Sequence, residues 1–247
     1  MNHSIVSNLI ADQVDSDCLI VAIYQDKQLS AAASTLDAAS NSELSAVLDF
    51  GDFTGKKGDT QLLYKLEGIK TKRVLMIGCG EKDKYDAFAL RAATKTAMTK
   101  LANQSVAKIT CLLGDDLNSA ENASNVIMQT LLGTSDSHYQ FTTHKSDTSE
   151  AIDSQHLEIA FSDSFAGSED TLTKASAMAQ GCELSRDLSN QPGNICTPTY
   201  LADTALAMAK EFASLDVEVL EESDMEQLGM GSFLSVSQGS DQPGKMV

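Results

Sequence analysis

The chain has no tryptophan and 3 prolines in 247 residues, and aromatic residues make up 5% of it. So little proline leaves helices and strands unbroken over most of the length. Pro192 and Pro198 stand close together, so punctuation is concentrated at one point. Basic residues are also scarce, with 18 Lys and Arg against 35 Asp and Glu and a net charge of −17. Nucleic-acid affinity comes largely from Lys and Arg neutralising phosphates. The balance therefore argues against a broad phosphate-binding surface, and the acidity reads as solubility and colloidal repulsion. Cysteine pairing is absent as well. The 5 cysteines are odd in number, form no C-x-x-C, and sit mostly in apolar strings such as DCLIVAIY, VLMIGCG and ITCLLG. Such residues behave as small buried hydrophobes, which counts against disulfides or a zinc site and suits a reducing cytosol. No apolar run reaches membrane-spanning length, and MNHSIVSNLIADQVDSD lacks a basic segment followed by an apolar one. These features read as cytoplasmic.

Apolar residues make up 42% of the chain and charged residues 21%, enough for a buried core and near the globular norm. The patterning alternates strand and helix. CLIVAIY (18–24) reads as a buried strand and 34–50 as one helix. FTGKKGDT (53–60) reads as a mobile, partly basic loop between elements. Strands follow at 60–68 and 72–80, a helix at 86–104, a strand at 107–115, and a helix at 120–133 stopped by Gly133. Residues 134–155 are a polar excursion with a short strand around Tyr139–Thr142, before a strand at 156–163. A long helix covers 168–188 with Leu172, Ala175, Ala179 and Cys182 as its stripe, acidic residues in its first turn and Arg186 in its last, as the macrodipole favours. Alternation of this kind predicts an α/β domain with a largely parallel or mixed sheet over about 1–165.

The punctuation lies in LSRDLSNQPGNICTPTYLA (184–202). Asn190-Gln191-Pro192-Gly193-Asn194 cannot continue a helix. Thr197 then caps a new helix with Pro198 at its first position, running to about Ser214. A strand VEVLE (217–221), a short helix ending at LGMG, a helical segment at 232–240 and the first residues of a strand at KMV complete the chain. Parallel strands need neighbours and cover on both faces, and about 60 residues bury too little surface alone. Residues 190–247 therefore look like the start of a domain.

Spacing rules produce no catalytic constellation. There is no H-E-x-x-H and no G-x-S-x-G. The 4 histidines, His3, His138, His144 and His156, have no metal-ligand spacing and read as surface residues. GCGEKD (78–83) has only the first two glycines of a dinucleotide fingerprint and reads as a tight strand-to-helix turn. TGKKGD (54–59) lacks the P-loop order. Asp115-Asp116 and Glu221-Glu222 read as solvated helix starts, although strand ends are where α/β proteins bind ligands. Arg186-Asp187 reads as a local ion pair at a helix end.

The string from 181 to 247 strongly resembles the leucyl (cytosol) aminopeptidases, peptidase family M17. The matching features are Arg186-Asp187-Leu188, Asn190-x-Pro192-x-Asn194, Thr197-Pro198, Leu201-Ala202, Leu228-Gly229-Met230-Gly231 and Gly239-Ser240. Gly244 stands where many relatives have a second proline. Residues 1–165 resemble the family's N-terminal domain more diffusely.

The resemblance implies three segments: a macro-domain-like α/β domain at 1–165, a connecting helix at 166–189, and at 190–247 the incomplete start of an α/β zinc-exopeptidase-type catalytic domain. It implies a homohexameric, cytoplasmic metalloaminopeptidase that releases N-terminal residues, leucine preferred, from peptides with two divalent metals, Mn or Zn. The family's metal ligands and catalytic residues lie beyond Gly239-Ser240-Asp241-Gln242-Pro243. No catalytic, cofactor-binding or metal residue is therefore expected in this chain, which is expected to be inactive alone. The alternatives are a non-catalytic macro-like binding or oligomerisation module, and a binder of ADP-ribose-type compounds. Acidity counts against a nucleic-acid partner.

Overall fold

The run CLIVAIY forms a strand buried along its whole length in the computed structural model, which describes residues 2–146, 155–168 and 170–247. It belongs to a seven-stranded sheet of β1 (Asn2–Val6), β2 (Cys18–Tyr24), β3 (Gln28–Leu29), β4 (Thr60–Tyr64), β5 (Arg73–Gly80), β6 (Lys108–Cys111) and β7 (His156–Ala160). The order is β1-β7-β6-β2-β5-β4, with β3 paired to the end of β2. β1, β7, β6, β2 and β5 run parallel, while β4 and β3 are antiparallel to their partners.

Side chains alternate across a strand, so β2 feeds two cores. Leu19, Val21 and Ile23 pack against α1 (Ala31–Ala39) and α2 (Glu43–Phe50). Cys18, Ile20, Ala22 and Tyr24 face α3 (Ala87–Leu101), α4 (Ala123–His138) and, through Ala175, α5 (Thr171–Asn190). Burying one Leu or Ile side chain contributes about 1.5–3 kcal/mol. A strand buried on both faces therefore reads as continuous hydrophobe rather than alternation.

Several boundaries differ from the sequence reading, each for a local reason. The single helix expected at 34–50 is two. Asn41 and Ser42 have φ of 53° and 65°, and the Asp37 carboxylate accepts from Ser45 N at 2.8 Å and Ser45 Oγ at 2.6 Å, so α1 caps α2 across the break. Gly133 does not stop α4. A Cβ there would lie 2.5 Å from Arg91 O, so the glycine lets α3 and α4 approach, and the helix continues to His138. Tyr139–Thr142 is not a strand, and 147–154 of the polar excursion lies outside the described residues. Asn2–Val6, read only for the absence of a leader, is an edge strand whose half-buried, polar start hides its period. The long helix starts after Asp170 and runs to Asn190, so its first turn holds no acidic residue and Arg186 is not in its last turn.

The chain divides into two compact units, Met1–Gly181 and Cys182–Val247. The second contains α6 (Pro198–Glu211), α7 (Glu222–Gln227) and α8 (Gly231–Ser237). The strand expected at 217–221 is reduced to one bridge, Leu220 with Met246. Strand hydrogen bonds need a partner chain segment, and Val217–Val219 have none among the described residues. In the second unit only Ala202 and Met225 are buried apolar residues.

In the first unit, Asp17 ties three segments at the start of the parallel strands. Its carboxylate accepts from Ala107 N at 3.0 Å, Lys108 N at 3.1 Å and Lys72 Nζ at 2.6 Å. The Lys72 bond, then those from the backbone, holds its pKa down at about 2. The folded-state value lies below the ordinary one of 3.8. Its stabilisation is therefore complete above the ordinary value and lost as pH falls toward the folded one. Asp17→Ala should lower stability by about 1–3 kcal/mol at neutral pH, and the gap to the parent should close as pH falls below 4. Urea unfolding followed by circular dichroism across pH measures both.

Candidate functional site

In an open parallel sheet, ligands bind where successive connections leave to opposite faces. Here β2 is followed by α1 and α2 on one face, and its neighbour β6 by α4 on the other. The carboxyl ends of these strands bring Tyr24, the start of α1, Lys82 and Asp116 together. Tyr24 Oη donates to Asp116 Oδ2 at 2.9 Å, and Ala31 N donates to Asp116 Oδ1 at 3.4 Å. Lys82 Nζ lies 3.6 Å from the same carboxylate and 5.4 Å from the Tyr24 ring centroid. Burial, then the Asp116 charge, pushes the Tyr24 hydroxyl well above its ordinary range, so it stays a protonated donor. Asp115 turns away and accepts from Ser162 N at 2.8 Å and Ser162 Oγ at 2.6 Å, with its pKa raised chiefly by burial. The acidic pair is thus tied into the fold, rather than solvated as the sequence suggested.

The two glycine strings meet beside this point. Gly80 N donates to Gly55 O at 2.9 Å, Gly58 N to Gly78 O at 3.2 Å, and Gly78 N to Asp59 O at 2.8 Å. A Cβ on Gly78 would sit 2.0 Å from Lys56 O, and one on Gly55 would sit 2.2 Å from Tyr24 O. TGKKGD is therefore a backbone-paired segment laid onto β5, not a free loop. The amides of GCGEKD that would cradle a phosphate are committed to it. The strand ends that the fold offers to a ligand are filled by the chain itself.

In the second unit the family-like strings are scaffold. Pro192 O accepts from both Ile195 N and Cys196 N at 2.9 Å, closing the turn after α5. Thr197 Oγ1 accepts from Tyr200 N at 3.3 Å, with Pro198 opening α6, as the sequence indicates. Glu221 and Asp224 form a reciprocal capping box on α7. Glu222 Oε1 accepts from Ser237 Oγ at 2.7 Å and Gly244 N at 2.8 Å, and those bonds hold its pKa below the ordinary value. Lys245 pairs with Glu221. The second acidic pair therefore fastens residues 244–246 to α7 and α8.

The histidines are less exposed than their spacing suggested. His156 Nε2 is 2.9 Å from Ser4 Oγ, and His138 Nδ1 is 2.9 Å from Thr134 O. Burial first, then the charges of neighbours including His156 and His138, lowers His3 to about 4, so it is neutral at pH 7. Among the described residues, no group of three or more His, Cys, Asp or Glu side chains could hold a metal ion. Cys18, Cys79 and Cys111 are buried in the sheet core, and burial pushes each thiol up to about 12. They are inert core residues, as their apolar contexts indicated. The donors present in this chain do not fit a two-metal centre.

A mixed α/β sheet followed by a helix-rich segment with an Asn-x-Pro-x-Asn turn defines a peptidase-like two-part architecture, and comparison with known proteins identifies it. Residues 20–148 match the N-terminal domain of the cytosol aminopeptidase family, and residues 183–247 match that family's catalytic domain. The chain belongs to the cytosol aminopeptidase family, peptidase family M17. It is 39% identical over 235 residues to the "Probable cytosol aminopeptidase" of Thioalkalivibrio sulfidiphilus, covering 94% of this chain and 47% of that protein. It is 35% identical over 247 residues to the "Cytosol aminopeptidase" of Pseudomonas aeruginosa, covering 98% of this chain and 49% of that one. A mutant tomato leucine aminopeptidase superposes with a TM-score of 0.78 at 22% identity, over 99% of this chain and 49% of its own. The bottromycin maturation enzyme BotP, solved with Mn, superposes with a TM-score of 0.63 at 20% identity, over 92% and 43% of the two chains. The chain spans about half the length of the curated relatives it matches.

Removing the Glu222 carboxylate should release the 244–246 segment. In Glu222→Ala, amide exchange at Gly244–Met246 should quicken by about tenfold or more, as expected for one or two lost charge-assisted bonds. Exchange in β2 should not change. Hydrogen exchange read by mass spectrometry makes the comparison.

Proposed function

We propose that this chain supplies the N-terminal domain and the opening segment of the catalytic domain of a metal-dependent aminopeptidase that releases N-terminal amino acids, leucine preferred, from peptides. The observation that carries the reading is the match of residues 183–247 to the family's catalytic domain. On this reading residues 1–165 form the macro-like domain, 166–189 the connecting helix and 190–247 the start of the catalytic domain. The whole enzyme works in the cytoplasm as a homohexamer. Among the described residues, no helix is long and apolar enough to cross a membrane.

Two divalent ions, Mn or Zn, would polarise the scissile carbonyl and lower the pKa of a bound water so that hydroxide forms at neutral pH. The residues of this chain hold none of them. Its acidic side chains are engaged in caps and strand staples, and its sheet-core thiols are too high in pKa to act as thiolate ligands. The contribution of residues 190–247 is structural: the Asn-x-Pro-x-Asn turn, the Thr197 cap and the Glu222 fastening set the chain path on which the metal-binding part is built.

Purified 1–247 should hydrolyse no leucine anilide substrate, with or without added Mn or Zn, and should bind neither ion stoichiometrically in equilibrium dialysis. Metal-dependent turnover by the purified chain would contradict the assignment of all ligands to sequence outside it.

A further inference from the structure

Residues 182–247 carry an apolar surface too large for their size and a strand without neighbours. Of the fifteen large apolar side chains exposed among the described residues, ten lie in this segment. Phe212 is 48% exposed, Leu228 64%, Phe233 41% and Val236 84%. Phe233 and Val236 are three apart on α8, so they present one helix face. The segment buries only two apolar residues in return, Ala202 and Met225. Monomeric proteins rarely leave contiguous apolar patches uncovered. Beside them, Val217–Leu220 is extended and alternates in burial. It carries a single bridge, Leu220 to Met246, with no backbone hydrogen bond at Val217, Glu218 or Val219 among the described residues. An open strand edge with alternating side chains is a template for strand addition.

We propose that Val217–Leu220, with Leu228 and the Phe233/Val236 face of α8, is the docking surface for the remainder of the family's catalytic domain, and that Val217–Leu220 becomes a paired strand of that domain's sheet. The occupant is fixed by two observations. The chain spans 46–50% of the relatives it matches, and its match to the catalytic domain begins only at residue 183. A segment of similar length to the whole chain is thus what the family places against these residues. The inference rests on the family reading, but it goes further by naming the surface, the strand and the mode of pairing. It also explains why VEVLE has a strand sequence and no strand: its composition is suited to a ladder whose other rails lie outside 1–247.

The test mixes 1–247 with a separately produced polypeptide, the portion of the Pseudomonas aeruginosa cytosol aminopeptidase beyond its match to this chain. A one-to-one complex by light scattering is expected, with amide exchange at Val217–Leu220 slowed at least a hundredfold. Replacing Phe233 and Val236 together by Asp should weaken the complex at least tenfold. Because both are exposed, the circular dichroism of free 1–247 should not change. A complex that leaves Val217–Leu220 exchanging as in the free chain overturns the proposal, as does a self-associated 1–247 with the same amides protected. A fusion of the two segments in one polypeptide keeps the test decisive if the separate piece fails to fold. Protected Val217–Leu220 amides in the fusion support the surface, and fast-exchanging ones overturn it. A folded fusion that binds no metal and releases no leucine contradicts the aminopeptidase reading instead. An active fusion with unprotected 217–220 contradicts only the docking surface.

Discussion

Burial of β2 on both faces is the constraint on which the first unit depends. A strand with no solvent side must be flanked by strands on both edges and by helices above and below. β5 and β6 flank it, α1 and α2 cover one face, and α3, α4 and the start of α5 cover the other. The same closure accounts for the filled strand ends. Where another sheet of this type leaves a crevice, Asp116 is seated between Tyr24, Lys82 and the start of α1. The TGKKGD segment is sealed onto β5 by backbone pairing. The first unit completes its own core and satisfies its own polar groups, which is the behaviour of a domain that carries and positions rather than reacts.

The second unit shows the opposite balance. Its helices are well capped, and its local rules are obeyed: Thr197 with Pro198, the Glu221–Asp224 box, and Glu222 on Gly244. Capping contributes about 1 kcal/mol per site and cannot replace a core. With two buried apolar residues, the segment has local order and little tertiary support. The family match gives this imbalance a cause, since relatives carry about as much sequence again.

Much of this was legible in the sequence, and the failures are instructive. CLIVAIY, KRVLMIGCG and the helix beginning at Asp86 were readable because burial on two faces and an Asp cap leave strong signals. The break between α1 and α2 was not, because it rests on left-handed Asn41 and Ser42 and on Asp37 reaching Ser45, and each of those residues also occurs inside helices. Gly133 was misread as a stop because a glycine that ends a helix and a glycine that lets two helices touch look alike in one dimension. VEVLE was read as a strand from composition alone, and composition does not supply the neighbour. For the candidate site, the string motifs identified the family, whereas the filling of the switch point by Asp116 depends on contacts some 90 residues apart in sequence.

The central claim is that 1–181 is a self-sufficient fold and 182–247 is not. Native-state hydrogen exchange on the isolated chain tests it most directly. Amides of β2 and β5 should exchange only through global unfolding, while those of α6, α7 and α8 exchange orders of magnitude faster through local opening. Equal protection in β2 and α6–α8 would show that the second unit is stabilised within this chain and would contradict the account.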